Sequence, residues 1–117
     1  MKQKVESVTI GIAVKNVKDS TEWYQALFGD VETMEPDPGT IELKLTDNVW
    51  LQLDDTGYLK VGGGSIIRFE TKDIEAAHRL VKKLTSEVDA IETVEGVVKY
   101  FDFKDPAGNR LSFVQLL

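Results

Sequence analysis

The chain has 117 residues, no cysteine, 42% hydrophobic and 29% charged side chains, and a formal net charge of −6. That length and balance suit one folded domain, burying roughly two-thirds of its unfolded surface. They exclude disulfides, thiolate metal sites and thiol nucleophiles, and the acidic charge disfavours nucleic acid while attracting cationic small molecules. No apolar run approaches the roughly 20 residues that a membrane helix needs. Met1-Lys2-Gln3-Lys4 leads into Val5-Glu6-Ser7 rather than a signal-peptide stretch, so a cytoplasmic location without membrane contact is expected.

Val8 to Val14 reads as a β-branched apolar strand, with Gly11 and Ala13 on one face and Ile10, Ile12 and Val14 on the other. Asp19 or Ser20 is the predicted cap of a helix running to Phe28, with Trp23, Leu27 and Ala26 or Phe28 as its apolar stripe and Gly29 as its stop. Short strands follow. Val31 to Met34 is one, then the turn Pro36-Asp37-Pro38-Gly39, then Ile41 to Leu45, in which Ile41, Leu43 and Leu45 oppose Glu42 and Lys44. Thr46-Asp47-Asn48 reverses the chain into Val49 to Leu53, with Leu51 and Leu53 inward and Trp50 and Gln52 on the other face. Gly62-Gly63-Gly64 reads as a flexible joint. A strand rather than a helix follows it, so it lacks the helix N-terminus of a phosphate loop.

The second half starts over. Ser65 to Glu70 is a strand, and Asp73 caps a helix to about Leu84 with Ala76, Leu80, Val81 and Leu84 as its stripe. Ile91 to Val94 and Val97 to Phe103 are strands, the latter with Phe101 and Phe103 opposite Tyr100 and Asp102. Asp105-Pro106-Ala107-Gly108-Asn109 is a turn, and Leu111 to Leu116 closes the chain. The order β-α-β-β-β therefore occurs twice, as an internal repeat in one domain over 1–117, with modules at about 5–55 and 64–117. The expected class is α+β: two tandem βαβββ modules with helices on one sheet face, their mixed sheets curled around a cavity.

The segments "TIGIAVKNVKDSTEWYQALFG", "SIIRFETKDIEAAHRLVKKL" and "YFDFKDPAGNRLSFVQ" resemble the vicinal-oxygen-chelate superfamily, the glyoxalase, bleomycin-resistance and extradiol-dioxygenase group. The first looks like that family's opening strand and helix, the second like the opening of its second module, and the third like its Asp-Pro-x-Gly-Asn hairpin before the last strand. The resemblance implies the fold. It does not fix an activity, since the superfamily hosts many chemistries.

Metalloenzymes of the family hold a divalent cation with His, Glu or Gln near the start of each module's first strand and on its last strand. Carried over, these positions fall on Thr9, Gln52, Ile66 and Ser112. Two hydroxyls, one amide and one aliphatic side chain offer neither imidazole nor anionic charge to replace a cation's hydration. Neither a metal nor another cofactor is therefore expected. The sole histidine, His78, lies off the second helix's stripe and reads as a surface or boundary residue.

Alternation places Thr9, Gly11, Glu42, Trp50, Gln52, Ile66, Arg68, Glu70, Tyr100, Asp102, Arg110, Ser112 and Val114 away from the helices. A mix of aromatic, amide and charged groups describes a small-molecule site. Arg68 either anchors a ligand carboxylate or phosphate or pairs with Asp102, Glu42 or Glu70. Trp50 and Tyr100 either stack on a planar ligand or fill the groove. Asp102 and Glu42 are the weak candidates for a general base. Three functions stay open at this point. They are metal-independent sequestration of an aromatic or cationic compound, as in bleomycin-resistance proteins; a glyoxalase-like lyase, isomerase or dioxygenase; and a structural domain without a small ligand. A homodimer is expected because open sheet edges need cover.

Overall fold

A computed structural model describes residues 1–61 and 64–117. Of the glycine joint only Gly64 lies within it, at a positive φ of 80°, and Gly62 and Gly63 lie outside the described residues. The chain forms two compact units, Met1–Val61 and Gly62–Leu117. No helix among the described residues is long and apolar enough to cross a membrane.

The first unit runs β1 (Val8–Ala13), α1 (Val17–Phe28), β2 (Thr33–Met34), β3 (Thr40–Thr46) and β4 (Val49–Asp54). Its sheet has the order β1-β4-β3-β2, with β1 parallel to β4 and the other pairs antiparallel. The second unit runs β5 (Ile67–Glu70), α2 (Ile74–Leu84), β6 (Glu92–Val94), β7 (Val98–Lys104) and β8 (Arg110–Leu116). Its order, β5-β8-β7-β6, has the same pattern of one parallel and two antiparallel pairs. This is an α+β architecture of two tandem βαβββ modules, as the repeat requires.

In each unit the helix packs on the two central strands, α1 on β3 and β4 and α2 on β7 and β8. The period-2 pattern therefore splits each sheet into a helix-facing apolar set and an opposite, polar set. In the first unit Ile12, Ile41, Leu43, Leu51 and Leu53 are buried under Tyr24 and Leu27. In the second, Phe101, Phe103, Leu111 and Phe113 are buried under Ile74 and Val81. The rings of Phe103 and Phe113 stack at 5.7 Å, and Phe101 lies within 5.8 Å of each.

Both helices start on the same device. Asn16 Oδ1 accepts the Asp19 N–H at 3.0 Å, and Asp73 Oδ1 accepts the Ala76 N–H at 3.1 Å, satisfying donors that lack an intrahelical partner. A residue from the end of the sheet then takes the first helical N–H. Asp55 Oδ2 accepts Val17 N and Gln115 Oε1 accepts Ile74 N, both at 2.9 Å.

Several expectations shift. The cap of α1 is Asn16, not Asp19 or Ser20, because Asp55 fixes the helix start at Val17. Tyr24, fully buried, replaces Trp23 at the centre of the α1 stripe, and Ala26 is exposed. The α2 stripe is centred on Ile74 and Val81. A register shift between Lys44 and Thr46 takes Leu45 out of the buried row with Leu43. Strands β2, β5 and β6 are shorter than their sequence runs, since outer strands extend only as far as a partner pairs with them.

Two turns carry chemistry that the sequence announced. Gly29 closes α1 at φ 87°. In the hairpin before β8, Asp105 Oδ1 accepts the N–H groups of Ala107 and Asn109 at 3.0 and 2.8 Å, and Asn109 Nδ2 donates to Oδ2 at 2.9 Å.

Candidate functional site

Strand register turns the polar sets into rows that cross each sheet on the side away from the helix. In the first unit one row is Thr9–Trp50–Lys44 and the next is Gly11–Gln52–Glu42. In the second unit the rows are Glu70–Val114–Tyr100–Glu92, Arg68–Ser112–Asp102, and Arg110–Lys104. Every candidate of the sequence reading except Ile66, which precedes β5, thus lies on such a face.

The row Gly11–Gln52–Glu42 is an amide–carboxylate pair beside a gap. Gln52 Nε2 donates to Glu42 Oε2 at 2.9 Å. Glycine at position 11 leaves the β1 end of the row without a side chain, and Leu59 closes over it. A Cβ at Gly11 would lie 3.0 Å from Leu59 Cδ1 and 3.5 Å from Gln52 Oε1.

The equivalent row of the second unit is an ion pair. Arg68 Nη1 donates to Ser112 Oγ at 2.8 Å and to Asp102 Oδ1 at 3.1 Å. The Arg68 guanidinium also lies over the Tyr100 ring, 5.2 Å from its centroid. Ser112 is fully buried, whereas the Arg68 side chain keeps 44% of its surface. Of the carboxylates considered for Arg68, Asp102 is the one bound. Glu42 binds Gln52 instead, and Glu70 has no ion pair among the described residues.

These contacts decide how the inherited metal positions fit a divalent cation. Ser112 Oγ is occupied by a guanidinium, whose positive charge opposes a second cation at the same oxygen. Gln52 binds Glu42 through its amide nitrogen, the Thr9 hydroxyl has no hydrogen bond among the described residues, and Ile66 offers no donor atom. Among the described residues, no group of three or more His, Asp or Glu side chains could hold a metal ion. The residues present do not fit a divalent metal, so no chemical step is derived through one.

The weak candidates for a general base are each engaged, Asp102 by Arg68 and Glu42 by Gln52. Trp50 is half-buried beside Thr9 and Lys44. His78 belongs to the packing around α2: its ring meets Phe101 edge-on at 4.7 Å, and Nε2 lies 2.9 Å from the Asp89 carbonyl.

Two depressions open on the second unit. One, of about 360 Å³, is lined by residues that include Glu87, Asp89, Asp102, Lys104 and Arg110. The other, of about 420 Å³, is lined by Asp89, Glu92, Tyr100 and Asp102 among others. Sequence reasoning missed several of these groups. Lys104 was within reach, since alternation from Asp102 puts it on the same face. Asp89 gave no signal, because backbone pairing of its irregular segment with β7, including its own N–H bond to the Asp102 carbonyl at 2.9 Å, brings it there. Leu59 lies in an irregular segment without periodicity.

Comparison with known proteins agrees with this geometry. Residues 6–113 match the family model of the Glyoxalase/Bleomycin resistance protein/Dioxygenase superfamily. No curated protein matches the chain by sequence. Among solved structures, the fosfomycin resistance protein FosX of Listeria monocytogenes aligns over 100% of this chain and 96% of its own, with a TM-score of 0.80 at 16% identity. TnmS3, an antibiotic binding protein from Streptomyces sp. CB03234, aligns over 99% and 98%, with a TM-score of 0.75 at 18% identity. A glyoxalase/bleomycin resistance protein from Catenulispora acidiphila aligns over 95% and 98%, with a TM-score of 0.74 at 20% identity. At such identities the likeness establishes the fold alone.

Proposed function

This chain belongs to the glyoxalase/bleomycin resistance protein/dioxygenase superfamily, and from that premise we propose that it binds a small aromatic or cationic molecule without using a metal. The observation that carries the reading is the Arg68–Ser112 bond of 2.8 Å, which engages a buried oxygen at an inherited metal position with a fixed positive charge. On the second unit's polar face Tyr100 supplies planar apolar surface and Ser112 and Arg68 supply polar groups; on the first unit's polar face Trp50 and the pair Gln52 and Thr9 do the same, and each mixture is the usual composition of a small-molecule site. The names of the structural neighbours are consistent with this reading, since two of them are an antibiotic binding protein and an antibiotic resistance protein. The net charge of −6 favours approach by cations, which makes planar cationic compounds the first class to test. We also propose a homodimer, because β1 and β2, and likewise β5 and β6, are the outermost strands of their sheets.

Two measurements test the proposal. A ligand at 100 times its Kd stabilises the folded state by about 2.7 kcal/mol, so a planar compound that binds raises the melting temperature by several degrees. Elemental analysis of protein purified without chelator is expected to find no stoichiometric metal. Stoichiometric metal would replace this reading with a glyoxalase-like lyase or dioxygenase. A flat melting temperature across planar cationic, neutral and anionic compounds would leave a structural domain.

A further inference from the structure

One end of the second unit's polar face gathers three cations in an otherwise acidic chain. Arg68, Lys104 and Arg110 all lie there, on three adjoining strands, with Asp102 on the same face and with Glu87 and Asp89 lining the same depression as Lys104 and Arg110. Glu87 approaches Lys104 Nζ at 4.0 Å, with both side chains more than half exposed. Arg110 is exposed and has no ion pair among the described residues. Its recorded bond is a long one of 3.4 Å, to the Gly64 carbonyl.

Arg68 is only partly used. A guanidinium carries five N–H donors in a planar fork. Both recorded bonds of Arg68 leave from Nη1, so its Nε and Nη2 have no acceptor among the described residues. Meanwhile the group is held in place. One nitrogen is tied to a buried hydroxyl and a carboxylate, and the plane lies over Tyr100. A guanidinium fixed at one nitrogen and unfilled along its other edge is preorganised for two parallel bonds to an oxyanion. Arg110 lies on the same face, two residues before Ser112 on β8. Neighbouring cations repel one another until an anion joins them.

We propose that Arg68 and Arg110 form an oxyanion subsite that takes the carboxylate or phosphate group of a small ligand. The inference rests on the reading that this face binds a small molecule, and it adds the charge at one end of that molecule.

The test follows the arginine Nε–H signals in 1H–15N spectra of the whole chain, at constant ionic strength set with chloride. Benzoate and inorganic phosphate are the oxyanion probes, and benzamide is the neutral control. Benzoate, phosphate or both are expected to move the Arg68 and Arg110 signals saturably, while benzamide does not. The arm that saturates at lower concentration tells a carboxylate site from a phosphate site. Arg68→Lys keeps the charge beside Asp102 but loses the fork, and Arg110→Gln alters an exposed residue, so both variants should fold. Each is expected to weaken binding by at least about tenfold. Signals that follow chloride as well as they follow the probes, or an affinity unchanged in both variants, would overturn the subsite. An aromatic ligand found by melting temperature whose affinity ignores both variants would sink the subsite and leave the binding reading standing.

Discussion

The two modules are the same scaffold with its contents exchanged. Leu51 and Leu111 occupy equivalent places on β4 and β8, and both are fully buried. Around them the large side chains trade positions. The first module puts Tyr24 on the helix over Ile41, Leu43 and Leu53. The second puts Phe101, Phe103 and Phe113 on the sheet under Val81. Aromatic volume has moved from helix to sheet, which keeps the layer filled with different pieces. The polar faces differ more sharply. The row that reads Gly11–Gln52–Glu42 in one module reads Arg68–Ser112–Asp102 in the other. A repeated frame can thus keep its packing and caps while its polar rows diverge, because the alternate side chains of a strand answer to different neighbours.

If the modules are equal as scaffolds, truncating their equivalent core residues should hurt equally. Leu51→Ala and Leu111→Ala are each expected to cost about 2–5 kcal/mol in urea unfolding. A difference above about 2 kcal/mol between them would break the equivalence.

The hairpin glycines offer a smaller contrast. Gly39 and Gly96 both have positive φ, 86° and 72°. A Cβ on Gly39 would meet Thr56 Cγ2 at 2.8 Å and Asp55 Oδ1 at 2.9 Å, whereas one on Gly96 meets nothing within 4 Å. Alanine at Gly96 should cost about 1–2 kcal/mol from backbone strain alone. At Gly39 it should cost about 1 kcal/mol more, because Asp55 also caps α1. Equal costs in paired unfolding curves would mean that the Asp55 loop yields freely.

The polar rows should matter least to folding. Double-mutant cycles on Arg68 with Asp102 and on Gln52 with Glu42 are each expected to give coupling below about 1.5 kcal/mol. Arg68 and Asp102 keep 44% and 27% of their side-chain surface, so solvent screens that pair. Coupling well above that value would assign the ion pair to the scaffold rather than to a ligand.

Much of the frame was legible in the residues. Alternation from Ile41 to Leu43 and in the run from Val97 to Phe103 declared which face each strand buries, and Asp73, Gly29 and the Asp105–Asn109 turn announced themselves by side-chain chemistry. The cap of α1 was less legible, because Asn16, Asp19 and Ser20 are all capping residues. A carboxylate from the far end of the module, Asp55, settles which of them is used. Trp23 and Tyr24 are neighbours on one helix, and periodicity alone does not say which points at the sheet. Alternation told which strand residues face away from the helices. It did not tell how they pair, since Arg68 had three carboxylates to choose from until the β5–β8–β7 register put Ser112 and Asp102 in its row.

The sequence by itself determined the doubled β-α-β-β-β order, the two-faced strands and the donor-poor side chains at Thr9, Gln52, Ile66 and Ser112. These follow from local chemistry and short periods, which each segment carries alone. Only the tertiary structure decided that Arg68 binds Ser112 and Asp102, that Leu59 lies over Gly11, and that Arg110 shares a sheet face with Arg68. Those facts depend on which distant residues share a row, and strand register, set by the packing of the whole sheet, is what brings them together.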